Sequence, residues 1–181
     1  MKKRKKSISV LVLLLLLLGV TVGYAALSST LNITGTSTIN SASWNVRFKA
    51  DSIATTTGSV TPTTAPTIAA DNLNISYAIT LNQPGDFFEF TVDVENAGGI
   101  DAKLGAVPTI SGVSSTQANY VNYTVTYADN TAPAVNDSLA HGGATKKYKV
   151  RVEFKRDIDA SQLPEEPETL NLTCSMNYVQ A

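Results

Sequence analysis

The sequence predicts an all-β fold, an antiparallel sandwich of about seven to nine strands, jelly-roll or immunoglobulin-like, following an N-terminal export segment. Three observations carry this. Apolar and polar residues alternate with period two in at least four separate stretches. Turn chemistry falls between those stretches, and no stretch after residue 26 keeps a helical period. Strands with one wet face each must pack as sheets against one another.

Taken along the chain, the opening phrase "ALSSTLNITGTSTI" is rich in β-branched residues and reads as a first, weaker strand, with Leu27, Leu31 and Ile33 near even spacing. "SWNVRFKA" aligns Trp44, Val46 and Phe48. The Thr-rich segment of residues 52–70 holds Pro62 and Pro66 and suits exposed edge strands or a long loop. "LNISYAITL" aligns Leu73, Ile75, Tyr77, Ile79 and Leu81. "DFFEFTVDVEN" sets Phe88, Phe90, Val92 and Val94 against Glu89, Thr91, Asp93 and Glu95.

"YVNYTVTYAD" repeats the scheme with Val121, Tyr123, Val125 and Tyr127 inside. "KKYKVRVEFKRD" places Tyr148, Val150, Val152 and Phe154 inward and its lysines outward, and "TLNLTCSMNYV" buries Leu170, Leu172, Cys174, Met176 and Tyr178. Between these, Pro84 and Gly85 suit a type II turn, and Asn96, Gly98 and Gly99 suit positive φ. A short helical turn is expected around residues 159–163.

Five basic residues, Lys2, Lys3, Arg4, Lys5 and Lys6, precede an apolar run over residues 8–22. Such a run makes a helix of about 22 Å against about 30 Å of hydrocarbon, the proportions of a secretory signal. Gly23 and Ala25 supply the small residues of a cut after Ala25, so residues 1–25 read as a signal peptide and residues 26–181 as a single sandwich domain. Extension to Ala26 would instead make an uncleaved anchor, the chain's one route to a membrane. Beyond residue 25 stand nine of the fourteen basic residues and all fifteen acidic ones, a formal charge of −6. That balance offers no footprint for nucleic acid.

Residues that could carry chemistry are few. His141 is the one histidine and Cys174 the one cysteine, so neither a disulfide nor a multi-ligand zinc site follows. Asp129, Asn130, Asn136 and Asp137 cluster in "ADNTAPAVND", whose oxygens match no calcium-loop spacing. No nucleophile elbow, phosphate loop or HExxH pair occurs, so the chain is expected to be no enzyme and to need no cofactor. Phe87 and Tyr120, at strand starts, are candidate aromatic contacts for a ligand. Lys147, Lys149 and Arg151, with Lys155 and Arg156, form the largest cationic strip beyond residue 25 and could meet an anionic polymer.

The phrase "PGDFFEFTVDVENAGGIDAKL", with a GYA terminus ahead of small and Thr-rich residues, resembles the exported sandwiches of Gram-positive surfaces, nearest the TasA and camelysin family of biofilm-matrix proteins. The segment after the leader lacks the "GTLDL" phrase associated with that family, and no ligand set for a catalytic metal is present. The resemblance implies architecture and an extracytoplasmic location, secreted or on the cell surface. It also implies a structural or interaction protein that associates with itself or with the cell envelope. Its N-terminal strand would be the donor, inserting Leu27, Leu31 and Ile33 at a neighbour's sheet edge. The second expected function is a surface module that binds a carbohydrate or small ligand.

Overall fold

The computed structural model describes residues 2–26, 31–166, 168 and 170–181. The chain divides into two compact units, Met1–Asn40 and Ser41–Ala181.

The first unit opens with helix α1 (Lys2–Ala26). Leucine is a strong helix former, and the run carries no proline to interrupt it. Apolar side chains cover it on all sides rather than in one stripe; Leu13 and Leu17 are each 67% exposed. Among the described residues no helix is long and apolar enough to cross a membrane. Residues 31–40 enter no helix or strand and are exposed throughout. The opening strand expected there is therefore not formed over its described part, and Leu27 lies outside the described residues. An extended segment without a partner has no ladder bonds to hold it.

The second unit is an all-β antiparallel sandwich. Ten strands pair among its described residues, one of them only two residues long, so the expected strand count is matched closely. The strands are β1 (Val46–Phe48), β2 (Ala54–Gly58), β3 (Thr64–Ile68), β4 (Ile75–Ala78) and β5 (Phe87–Asn96). They continue as β6 (Ala102–Ser111), β7 (Val121–Tyr127), β8 (Ser138–Leu139), β9 (Ala144–Phe154) and β10 (Thr173–Gln180).

The first layer is a five-stranded sheet in which β5 pairs with β9 from Phe87↔Glu153 to Asn96↔Ala144. β7 flanks β9, and β1 and β2 share the other side of β5. The facing layer is split in two: a three-stranded sheet in the order β10-β6-β8, and the β3-β4 hairpin. The Thr-rich segment supplies β2 and β3, both at edges, as its composition predicts.

Alternation sets which residues are buried. Phe88, Phe90, Val92 and Val94 of β5, Val121, Tyr123 and Val125 of β7, and Tyr148 and Val152 of β9 are all at most 9% exposed. Ala102 and Leu104 of β6, Leu139 of β8 and Tyr120, just ahead of β7, complete the core among the described residues. Each fully buried aromatic or aliphatic side chain contributes about 1.5–3 kcal/mol. By contrast, Ile75 and Tyr77 of β4 and Cys174, Met176 and Tyr178 of β10 are only half-buried. The facing layer does not close over the five-stranded sheet at those strands.

Two glycines answer different demands. Gly85 has φ 95°, as the turn after Pro84 requires. Positive φ at Asn96, Gly98 and Gly99 is not found. Gly98 is needed for close approach instead: a Cβ there would stand 2.4 Å from the Ser43 carbonyl oxygen and 2.8 Å from the Asn45 nitrogen. The expected helical turn appears as a 3-10 turn, Ala160–Gln162, with Asp159 and Gln162 forming a capping box.

Candidate functional site

Between the two halves of the facing layer lies a groove of about 480 Å³. Its floor is the five-stranded sheet, presenting Val46, Phe48, Val92, Val94, Tyr123 and Val125. One wall is β4 with Ile75 and Tyr77; the other is Leu172 and β10 with Cys174, Met176 and Tyr178. Among the described residues β4 pairs only with β3, and β10 only with β6. Each wall therefore turns an unpaired backbone edge towards the groove, the arrangement that accepts an added strand.

The lining is nearly free of charge. Arg47 is its one charged residue, and its Nε lies 2.8 Å from Glu95 Oε1. Polarity comes from the amides of Asn72 and Asn74 and from hydroxyls, those of Thr173, Ser175 and the tyrosines. Tyr148 Oη lies 2.7 Å from Tyr178 Oη. Tyr77 stands edge-on to Phe90, ring centroids 5.2 Å apart, with its Oη buried and in no hydrogen bond of full geometry among the described residues. Burial pushes the hydroxyls of Tyr77, Tyr123, Tyr148 and Tyr178 upwards, so all four stay protonated donors. Burial likewise raises the Cys174 thiol, which suits a small apolar wall residue rather than a nucleophile.

The residues singled out from sequence are distributed elsewhere. Lys147, Lys149 and Arg151 do lie together on the outer face of β9, but acids of β5, and Glu153 of β9 itself, answer them. Lys147 Nζ is 2.7 Å from Asp93 Oδ1, Arg151 Nη1 3.2 Å from Glu89 Oε2, and Arg151 Nη2 3.3 Å from Glu153 Oε2. Lys149 lies 4.0 Å from Glu89 and also bonds the Asn130 side-chain oxygen. Phe87 is half-buried, with the Arg151 guanidinium 4.0 Å from its ring centroid.

Tyr120, expected as an exposed aromatic, is instead 4% exposed. Its hydroxyl donates to Glu168 at 2.8 Å, and burial together with that carboxylate pushes it up to about 12. Its strand start is covered by the connector that precedes β10.

Leu31 and Ile33 are 91% and 99% exposed, and Ile39 is 93% exposed. His141 Nδ1 meets Asp101 Oδ1 at 2.6 Å, and its backbone N–H meets the same oxygen at 2.8 Å. Asp129 is occupied by the Thr131 N–H and hydroxyl, and Asp137 by the Tyr127 hydroxyl and the Ala134 N–H. No group of three or more His, Cys, Asp or Glu among the described residues could hold a metal ion.

Two polar residues in the phrase that carries the family resemblance hold backbone in place. Asp86 accepts from the N–H groups of Asn82 and Gln83 and from the Ser59 hydroxyl. Asn96, fully buried, donates to the carbonyls of Ile100 and Leu139 and accepts from the Gly98 N–H. The groove itself is what sequence reading missed. Its wall residues were legible as apolar series, but their division between two separate sheets depends on pairing, which alternation does not encode. No protein-family model, curated protein or solved structure matches the chain.

Proposed function

We propose that this protein is an exported structural component of a cell surface or extracellular matrix that associates with copies of itself by strand donation. One observation carries the reading: among the described residues, a segment with one largely apolar face pairs with no strand, and a groove lies between two free strand edges. Over residues 31–40, Leu31, Ile33, Gly35, Ser37 and Ile39 share one face of an extended strand, and Asn32, Thr34, Thr36, Thr38 and Asn40 the other. Neither the segment nor the groove lining, Arg47 apart, carries charge. Insertion would cover the three most exposed aliphatic side chains of that segment and complete two ladders at once.

Export is read from the basic cluster and the leucine run, and the TasA-like resemblance supports a matrix role. Cutting after Ala25 would leave the donor segment at a free N-terminus. The test is sedimentation velocity of the full chain and of a chain lacking residues 31–40 over a wide concentration range. Association of the first and not of the second is expected. A full chain that stays monomeric throughout overturns the reading.

A further inference from the structure

One lysine of the β9 strip has surroundings unlike its neighbours'. Lys147 Nζ meets the carboxylate of Asp93, and its side chain is 47% exposed. Lys149 shares that outward face yet is only 15% exposed, and its Nζ has partners of two kinds. One is the side-chain carbonyl oxygen of Asn130, with which it is in direct contact. The other is Glu89 Oε2, 4.0 Å away on a side chain 12% exposed. An amine, a carboxamide and a carboxylate therefore converge at one point of the sheet.

The pairing of three strands builds this arrangement. Lys149 stands opposite Thr91 of β5 and Thr126 of β7, and Glu89 lies two residues from Thr91 on the same face. Asn130 arrives from the turn that follows β7. There the Asn130 N–H donates to Tyr127 O and the Tyr127 N–H to Thr131 O, both at 2.9 Å, while the Ala128 N–H donates to Lys147 O at 3.0 Å. Asn130 has φ 71°, a left-handed conformation that asparagine tolerates. The carboxamide is thus held against β9 by a turn bonded to that strand two residues before the amine.

A carbonyl carbon lies about 1.23 Å from its oxygen, so an amine touching Oδ1 stands beside Cγ, the atom that amines attack. Fixing the two groups in this way replaces a chance encounter by an intramolecular one. Glu89 supplies the proton acceptor that an attacking ammonium needs, at a separation usual before reaction.

We infer that Lys149 and Asn130 of the same chain become joined by an amide bond, with Glu89 carrying the proton. The Lys149 ammonium gives a proton to Glu89, and the neutral amine adds to Cγ, forming the Nζ–Cγ bond. Through the carboxyl group, a proton passes from the attacking nitrogen to Nδ2. The Cγ–Nδ2 bond then breaks, and the departing ammonia takes the remaining proton from Glu89 as ammonium. Nothing is oxidised or reduced, and no co-reactant is consumed. Asn130 is exposed, so the ammonia leaves directly into water. The bond would tie the turn after β7 to β9 in a chain whose one cysteine allows no internal disulfide. It does not depend on strand donation.

The test is mass spectrometry of the purified full chain and its tryptic peptides, alongside Lys149→Arg, Asn130→Gly and Glu89→Gln, each confirmed as folded by circular dichroism. The expected result is a chain about 17 Da lighter than its sequence, the mass of one ammonia. Trypsin should release residues 104–146 joined to residues 148–151, since an acylated Lys149 is not cut. Lys149→Arg and Asn130→Gly should keep their full mass, and Glu89→Gln should be largely unlinked. A wild-type chain of full mass, with Lys149 cut by trypsin, overturns the inference. Loss of ammonia that persists in Lys149→Arg also overturns it, because an asparagine cyclising on its own backbone would then be the source. Complete linkage in folded Glu89→Gln overturns the role given to Glu89.

Discussion

The Tyr148 hydroxyl, on a side chain with no exposed surface, lies 2.7 Å from the hydroxyl of Tyr178, joining the floor of the five-stranded sheet to the strand that walls the groove. Among the described residues β10 pairs with β6 alone, through a ladder with register shifts on both sides of Asn177. Tyr178→Phe keeps the ring and removes one partner of a buried hydroxyl. It should cost about 1–3 kcal/mol of unfolding free energy. Urea denaturation with an unchanged midpoint would show that the bridge contributes nothing.

Gly98→Ala tests a contact rather than a backbone conformation. The added Cβ meets the backbone at Ser43 and Asn45, and the loop carries the bonds Ala97 N–H to Asn45 O and Gly99 N–H to Ser43 O, both 2.8 Å. Making room means moving that segment away from the end of β5. The expected cost is about 1–3 kcal/mol, the range of overpacking. Gly35→Ala is the control, since nothing lies within 4 Å of its added Cβ. Equal melting temperatures for the two variants would contradict the packing argument.

Acid sensitivity follows from the loop carboxylates. Asp86 is held below its usual range by the Asn82 N–H first, Asp137 by the Ala134 N–H and then the Tyr127 hydroxyl, and Glu168 by Gln117 and then Tyr120. A carboxyl whose folded value lies below its unfolded one, near 3.9 for Asp, stabilises the fold fully above that unfolded value. The contribution is lost as the pH falls through the folded value. The melting temperature should therefore drop below about pH 4, and Asp86→Asn should soften the drop. Equal acid slopes in the two proteins would rule Asp86 out as a contributor.

Period two made β5, β7, β9 and β10 legible because each has an apolar face turned inward, half-buried in β10, and a more polar face turned out. It reached β6 only in part. Gly105 and Pro108 break that strand's alternation, and bulged pairing with β10 holds it in place instead. The 52–70 edges were legible from Thr and Pro alone. Charge on the β9 strip was visible, but its neutralisation was not, since Asp93 and Glu89 oppose Lys147 and Arg151 only once β5 and β9 are in register. Tyr120 was misjudged for a similar reason. A residue at a strand start is exposed unless a distant connector covers it, and Glu168 lies 48 residues away.

The donor segment allows a test in which folding and association separate. Ile33 is 99% exposed, so Ile33→Asp removes no burial within its own chain and should change stability by less than about 0.5 kcal/mol. In the groove, the same side chain would meet a lining whose one charged residue among those described, Arg47, is already paired with Glu95. A carboxylate buried without a partner costs several kcal/mol. Ile33→Asp should therefore leave the denaturation curve in place and abolish association in sedimentation. Thr34→Asp, on the donor's outward face, should leave association largely intact. Were Ile33→Asp to unfold the protein, the segment would belong to its own chain's core; were both variants to associate normally, the apolar face would not be what binds.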